Sequence, residues 1–155
     1  GRVSGGNDIH DEFGINSKVT DLQAIRGLNQ IKTIKERVEL KKAIYLKYYT
    51  TLKDVEDLKF IDTNLEYVTP WFVDVYTEQR EELEKYLLRS GIKTRAIYPP
   101  INTQKYYQEY NSLLFPITKK YSSEGVWLPS SLTLTNEDIE YICGIIKNFF
   151  GRKNY

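Results

Sequence analysis

The chain has 155 residues, 41% of them hydrophobic and 28% charged, the proportions of a single globular domain with a modest core. Its 22 basic and 21 acidic residues leave a net charge of +1, which offers no basic face for nucleic acid, and no apolar run approaches the roughly 20 residues of a membrane span. Cys143 is the sole cysteine and His10 the sole histidine, so an internal disulfide and the common zinc ligand sets are excluded, and the lone thiol fits a reducing cytoplasm.

In chain order, residues 1–19 are polar and glycine-rich and read as a loop or extended leader that starts in mid-protein. Thr20 and Gln23 have capping-box spacing, which predicts a helix start. Leu22, Ile25, Leu28 and Ile31 follow at helical spacing, and Ile34, Val38, Ala43, Ile44 and Tyr48 continue an apolar face. No proline interrupts residues 20–53, which implies one long helix or a kinked pair, with Gly27 and Asn29 as the weak points. Residues 54–155 change pattern and form a separate small domain. Leu58–Ile61 predicts a short strand, and Tyr67–Tyr76 a longer one with Pro70 at its edge or start. Thr77 should cap a helix that carries Leu83, Tyr86 and Leu87 on one face and stops at Gly91. Ile92–Ile97 returns as a strand before Pro99-Pro100. Short helices and loops surround Phe115-Pro116, and Val126-Trp127-Leu128 forms a brief strand. A last helix starts at Thr135, with Asp138 three residues on, and buries Ile139, Ile142, Cys143, Ile146 and Phe149. The sum is an α+β (mixed α/β) fold, in which a long helix precedes a small, mostly antiparallel sheet covered on one side by helices.

Tested residue by residue, most chemistry falls away. His10 sits in the leader, away from any serine or cysteine engine. No P-loop is present, and Gly5-Gly6 lacks the spacing and the strand–turn–helix context of a dinucleotide fingerprint. Glu36, Glu39, Glu78, Glu81, Glu82 and Glu84 lie among basic residues and read as solvated helix faces. The thirteen tyrosines read as amphipathic packing, with rings buried and hydroxyls wet. One segment stands apart. Gly14-Ile15-Asn16-Ser17-Lys18-Val19-Thr20 brings an amide, a hydroxyl and an ammonium to a helix start. Unpaired N–H groups and partial positive charge there suit a phosphate, and the same residues serve equally as ordinary turn and cap residues.

The order of motifs resembles the DegT/DnrJ/StrS sugar aminotransferases. Gly14-x-Asn16-x-Lys18-x-Thr20-Asp21-Leu22-Gln23-Ala24-Ile25, then Gly27-Leu28-x-Gln30-Ile31, is similar to that family's Gly-x-Asn-x-Arg and Thr-Asp-hydrophobic-Gln-Ala run. Gly1-Arg2 resembles the end of its His-Gly-Arg segment. Arg37, Tyr48, Trp71, Leu87, Gly91-Ile92-x-Thr94-Arg95, Tyr98-Pro99-Pro100, Phe115-Pro116 and Gly125-Val126-Trp127-Leu128-Pro129-Ser130 follow in collinear order. The Leu-Pro-Ser ending is similar to the perosamine-synthetase-like branch.

The resemblance implies the C-terminal small domain of a fold-type I pyridoxal-phosphate enzyme, with residues 1–19 coming from the large-domain side. It implies transfer of an amino group, from glutamate in much of the family, to a nucleotide-linked 4-keto-6-deoxy sugar. The Schiff-base lysine and the aspartate at the pyridine nitrogen are expected upstream, so no catalytic residue is expected in this chain and no metal is implied. Asn16 is the implied cofactor-phosphate contact across a homodimer, and Arg95, Tyr98 and Asn102 are the implied substrate contacts. Lys18 stands where arginine is usual, which loses the bidentate fork. Asn102 stands near a common histidine, and Arg95 is equally compatible with a plain surface strand. A sugar dehydratase of the same fold, with histidine for the lysine, and a non-catalytic binding module are the alternatives.

Overall fold

The computed structural model describes residues 17–110 and 114–151, so most of the predicted leader, up to Asn16, lies outside the described residues. The chain divides into two compact units, Gly1–Lys35 and Glu36–Tyr155. In the first, helix α1 (Asp21–Ile31) opens on the predicted capping box. The Gln23 N–H donates to Thr20 Oγ1 at 3.4 Å and the Thr20 N–H to Gln23 Oε1 at 2.9 Å, so two otherwise unpaired donors are satisfied reciprocally. Leu22, Ile25, Leu28 and Ile31 are all exposed.

Helix α2 (Ile34–Leu52) begins after a break at Lys32–Thr33, so the pair-of-helices reading holds, but neither expected weak point is the break. Gly27 and Asn29 both lie inside α1. The chain turns instead where the N–H and the hydroxyl of Thr33 both donate to the Gln30 carbonyl at 3.2 Å. A β-branched residue that hydrogen-bonds its own backbone competes with the helix ladder, whereas a glycine merely weakens it.

The second unit is built on a three-stranded antiparallel sheet of order β1–β3–β2, with strands Val73–Tyr76 (β1), Arg95–Ala96 (β2) and Gly125–Leu128 (β3). Val73 lies opposite Leu128, Val75 opposite Val126, and Ala96 opposite Val126 on the other side. Helix α3 (Arg80–Arg89) links β1 to β2. Two 3₁₀ turns (Ile101–Thr103 and Lys105–Tyr110) and helix α4 (Pro116–Glu124) link β2 to β3, and helix α5 (Asn136–Gly151) follows. One face of the sheet, carrying Val73, Val75, Val126 and Leu128, is covered by Leu83 and Leu87 of α3 and by Ile139, Ile142, Cys143 and Ile146 of α5. Ile44, Tyr45, Tyr48 and Leu52 of α2 complete the core. Each such aliphatic side chain contributes roughly 1.5–3 kcal/mol on burial. The Tyr48 hydroxyl, buried with its ring, donates to the Pro129 carbonyl at 3.0 Å.

The expected strands are shorter than their sequence pattern. Residues 67–72 are not strand, because Asn64 folds the chain first. Its Oδ1 accepts from Glu66 N–H at 2.9 Å and its carbonyl from Val68 N–H at 3.0 Å, a side-chain-assisted turn. Leu58–Ile61 reduces to a single bridge between Lys59 and Tyr76. Helix α3 starts three residues after Thr77, whose Oγ1 accepts from Gln79 N–H at 3.2 Å in a preceding turn. Gly91, at φ 77°, ends that helix in the left-handed conformation that favours glycine. On α5, Thr135 and Asp138 form the predicted cap, with the Thr135 N–H and hydroxyl each 2.9 Å from Asp138 Oδ2. Phe150, rather than Phe149, is the buried aromatic. Phe149 sits at the rim, where its ring meets Tyr86 of α3 at 5.4 Å.

Candidate functional site

A strand sends alternate side chains to opposite faces, so a sheet whose helices cover one face offers the other for binding. On that outer face one register row crosses all three strands: Asp74 of β1 opposite Trp127 of β3, and Trp127 opposite Arg95 of β2. Trp127 is only 8% exposed because aromatic rings pack round it. Phe72 stacks on it at 4.1 Å between centroids, and Tyr98 meets it edge-on at 4.9 Å. The Arg95 guanidinium carbon lies 5.1 Å from the Tyr98 ring centre and 5.5 Å from that of Trp127, so the cation rests on two π faces.

Arg95 itself is exposed, and among the described residues it pairs with no carboxylate. A guanidinium held by ring faces keeps its N–H fork available for a carboxylate or phosphate. Farther along the row, the Asp74 Oδ1 is buried, with no hydrogen-bond partner among the described residues. Burial holds its carboxyl above the ordinary value, and the neighbouring Trp127 side chain offsets part of that. Asp74 lines an open cavity of about 280 Å³ with Tyr45, Thr69, Trp71, Phe72 and Trp127.

Of the implied site residues, Arg95 and Tyr98 meet at Trp127. Asn102 does not join them: it is half-buried in a separate cavity of about 640 Å³, with Phe115, Lys119 and Ser122 among its walls. The two places are tied through backbone, since the Ser122 hydroxyl donates to the Tyr98 carbonyl at 2.8 Å. Asn16 lies outside the described residues. Phe72, Asp74 and Trp127 were not singled out as site residues from the sequence. Their signal was there in Val73-Asp74-Val75, one acid at an alternate position in an otherwise apolar strand.

Comparisons with known proteins show which family this fold belongs to. The DegT/DnrJ/EryC1/StrS aminotransferase model matches residues 1–147, and the chain belongs to that family, whose aminotransferases use pyridoxal phosphate. It is 31% identical over 150 residues to GDP-perosamine synthase of Escherichia coli O157:H7, a match covering 93% of this chain and 40% of that protein. It is 28% identical over 138 residues to the dTDP-3-amino-3,6-dideoxy-alpha-D-galactopyranose transaminase of Aneurinibacillus thermoaerophilus, covering 88% of this chain and 38% of the relative. Among solved structures, a family aminotransferase from Brucella abortus superposes with a TM-score of 0.82 at 25% identity, over 96% of this chain and 40% of that one. DesV of S. venezuelae shares the fold at a TM-score of 0.83 and 20% identity, over 95% of this chain and 41% of its own. The chain thus spans about 40% of the length of the relatives it matches.

The three half-buried lysines among the described residues are engaged in holding the fold. An aldimine needs a free amine facing a cavity. Lys41, half-buried and with its pKa lowered by burial, donates to the carbonyls of Trp71 at 3.0 Å and Ser130 at 2.5 Å, tying α2 to two loops. Lys42 pairs with Glu39 at 3.7 Å and Lys47 with Glu140 at 2.6 Å. Among the described residues no helix is long and apolar enough to cross a membrane, and no group of three acidic, histidine or cysteine side chains gathers as a metal site.

Proposed function

We propose that this chain is the substrate-side and interface part of a pyridoxal-phosphate-dependent aminotransferase. The whole enzyme moves an amino group, with glutamate as the donor, to a nucleotide-linked 4-keto-6-deoxy sugar in the cytoplasm. The observation that carries the reading is Arg95, laid over Trp127 and Tyr98 with no carboxylate partner among the described residues. Such a cation suits the diphosphate of a nucleotide sugar, and the relatives' names specify GDP- and dTDP-linked sugars.

Three further assignments belong to the same proposal. Asn16 contacts the cofactor phosphate of a neighbouring subunit in a homodimer. Residues 1–19 belong with a large domain, 20–53 connect, and 54–155 form the small domain. The exposed stripe Leu22, Ile25, Leu28 and Ile31 has the character of an interface face. Asn102 lies along the sugar path, in the cavity beside Tyr98. Within this chain the residues bind and orient. The amine chemistry is the cofactor's and is anchored elsewhere.

Titration of the chain with GDP, followed by amide, indole and guanidinium NMR, tests the reading. Perturbations should centre on Arg95, Tyr98 and the Trp127 indole, and Arg95→Ala should weaken binding by roughly tenfold or more, the value of a charge-assisted contact of about 1.5–3 kcal/mol. Perturbations confined to residues away from the outer face, or an unchanged affinity in Arg95→Ala, would contradict it.

A further inference from the structure

The hydrogen-bond ladder between β1 and β3 ends before the ring stack on Trp127 begins. The Thr77 N–H donates to the Glu124 carbonyl at 3.1 Å, and hydrogen-bonded pairs alternate from there through Val75–Val126 to Val73–Leu128. Trp71 and Ser130 would be the next such pair. Pro129, whose ring holds φ away from the antiparallel-strand value, ends the pairing before it. Phe72 therefore stacks on Trp127 at 4.1 Å from a position that no strand pairing holds.

Helix α2 closes that gap. Lys41 Nζ donates to the carbonyls of Trp71 at 3.0 Å and Ser130 at 2.5 Å, the two residues of the missing pair. The Ser130 hydroxyl lies 3.5 Å from the same Trp71 carbonyl, so the two segments do face each other. Seven residues along α2, two helical turns on, the Tyr48 hydroxyl donates to the intervening Pro129 carbonyl at 3.0 Å. A half-buried ammonium gives up hydration, which lowers the Lys41 pKa, and the two carbonyls are what offset that loss.

We propose that Lys41 is a positioning residue for the Arg95 site: it fixes Trp71 against Ser130, which keeps Phe72 on Trp127 and the Trp127 ring under the Arg95 guanidinium. The inference rests on the reading of Arg95 as the diphosphate contact, and it adds a residue that touches neither the guanidinium nor its ligand. A guanidinium laid on a fixed ring is already oriented and loses less freedom on binding than one laid on a mobile ring.

NMR of the unliganded chain and calorimetric titration with GDP, on wild type and Lys41→Met, test this. The substitution keeps most of the side chain's length and removes its donors. In the wild type the Arg95 side-chain protons should lie upfield, shielded by the Tyr98 and Trp127 rings. In Lys41→Met they should move towards their random-coil positions, and GDP should bind about threefold more weakly, the worth of an exposed cation–π contact. Lys41→Arg, whose fork can serve both carbonyls, should restore both readouts. Phe72→Leu should reproduce the change, and Lys41→Met added to it should change the Arg95 signals no further. Where Lys41→Met does not fold, Lys41→Gln, which keeps an N–H for one carbonyl, should show a smaller shift of the same sign. Arg95 signals unchanged in the folded variant, whatever its urea midpoint, overturn the proposal and leave the Arg95 reading standing. Failure of the wild type to bind GDP, with the shifts behaving as expected, overturns the reading of Arg95 and not the placement by Lys41.

Discussion

Burial of a carboxyl on the outer face costs stability. In Asp74 the folded carboxyl holds its proton to a higher pH than the unfolded one, because burial disfavours the charge. Below the ordinary carboxylate value, about 3.9, both states are protonated and there is no penalty. As pH rises from there towards the raised folded value, the unfolded state releases its proton first, so this group lowers stability, and the full penalty persists above that window. Urea midpoints of Asp74→Asn and wild type should therefore diverge with rising pH through this window, the variant becoming relatively more stable. A wild type that gains on the variant over the same range would show that the carboxylate is stabilised instead. Gly125 is fixed by space. A Cβ there would lie 2.9 Å from Tyr76 Cε1 and 2.8 Å from the Tyr121 carbonyl, with Ile97 closer still. Gly125→Ala should cost about 1–3 kcal/mol in denaturant unfolding, and a neutral outcome would mean that the Tyr76–Tyr121 edge contact is loose.

Helices were legible in the sequence to a degree that strands were not, and the reason is local. Thr20 with Gln23 and Thr135 with Asp138 carry their own start signals, and Gly91 carries a stop. Thr135→Ala should destabilise the second unit by about 1 kcal/mol, read as a lower urea midpoint with an unchanged m-value. No loss would mean that the Thr135 N–H bond to Asp138 suffices alone. A strand's extent is set by its partner. The segment from Tyr67 to Tyr76 has the aromatic and β-branched residues of a long strand, but β3 offers only Gly125–Leu128 to pair with, and so β1 is Val73–Tyr76. Ile92–Ile97 shrinks to Arg95–Ala96 for the same reason. The site followed this division. Arg95 and Tyr98 were picked out by resemblance, whereas Trp127 and Asp74 join them through a register that no single segment encodes.

At the scale of the molecule, the sheet has one helix-covered face and one outer face, and the chain spans about 40% of its relatives' length. The half-buried lysines are committed to carbonyls or carboxylates, and the cation on the outer face of the sheet is an arginine, which cannot form an aldimine. The central claim is that this chain holds the nucleotide sugar without covalently holding the cofactor. Equilibrium dialysis of the chain against pyridoxal phosphate and GDP together tests both halves in one sample. The account predicts that GDP is retained and that no visible aldimine band survives. A stable band traced to a single lysine, or loss of GDP, would contradict it.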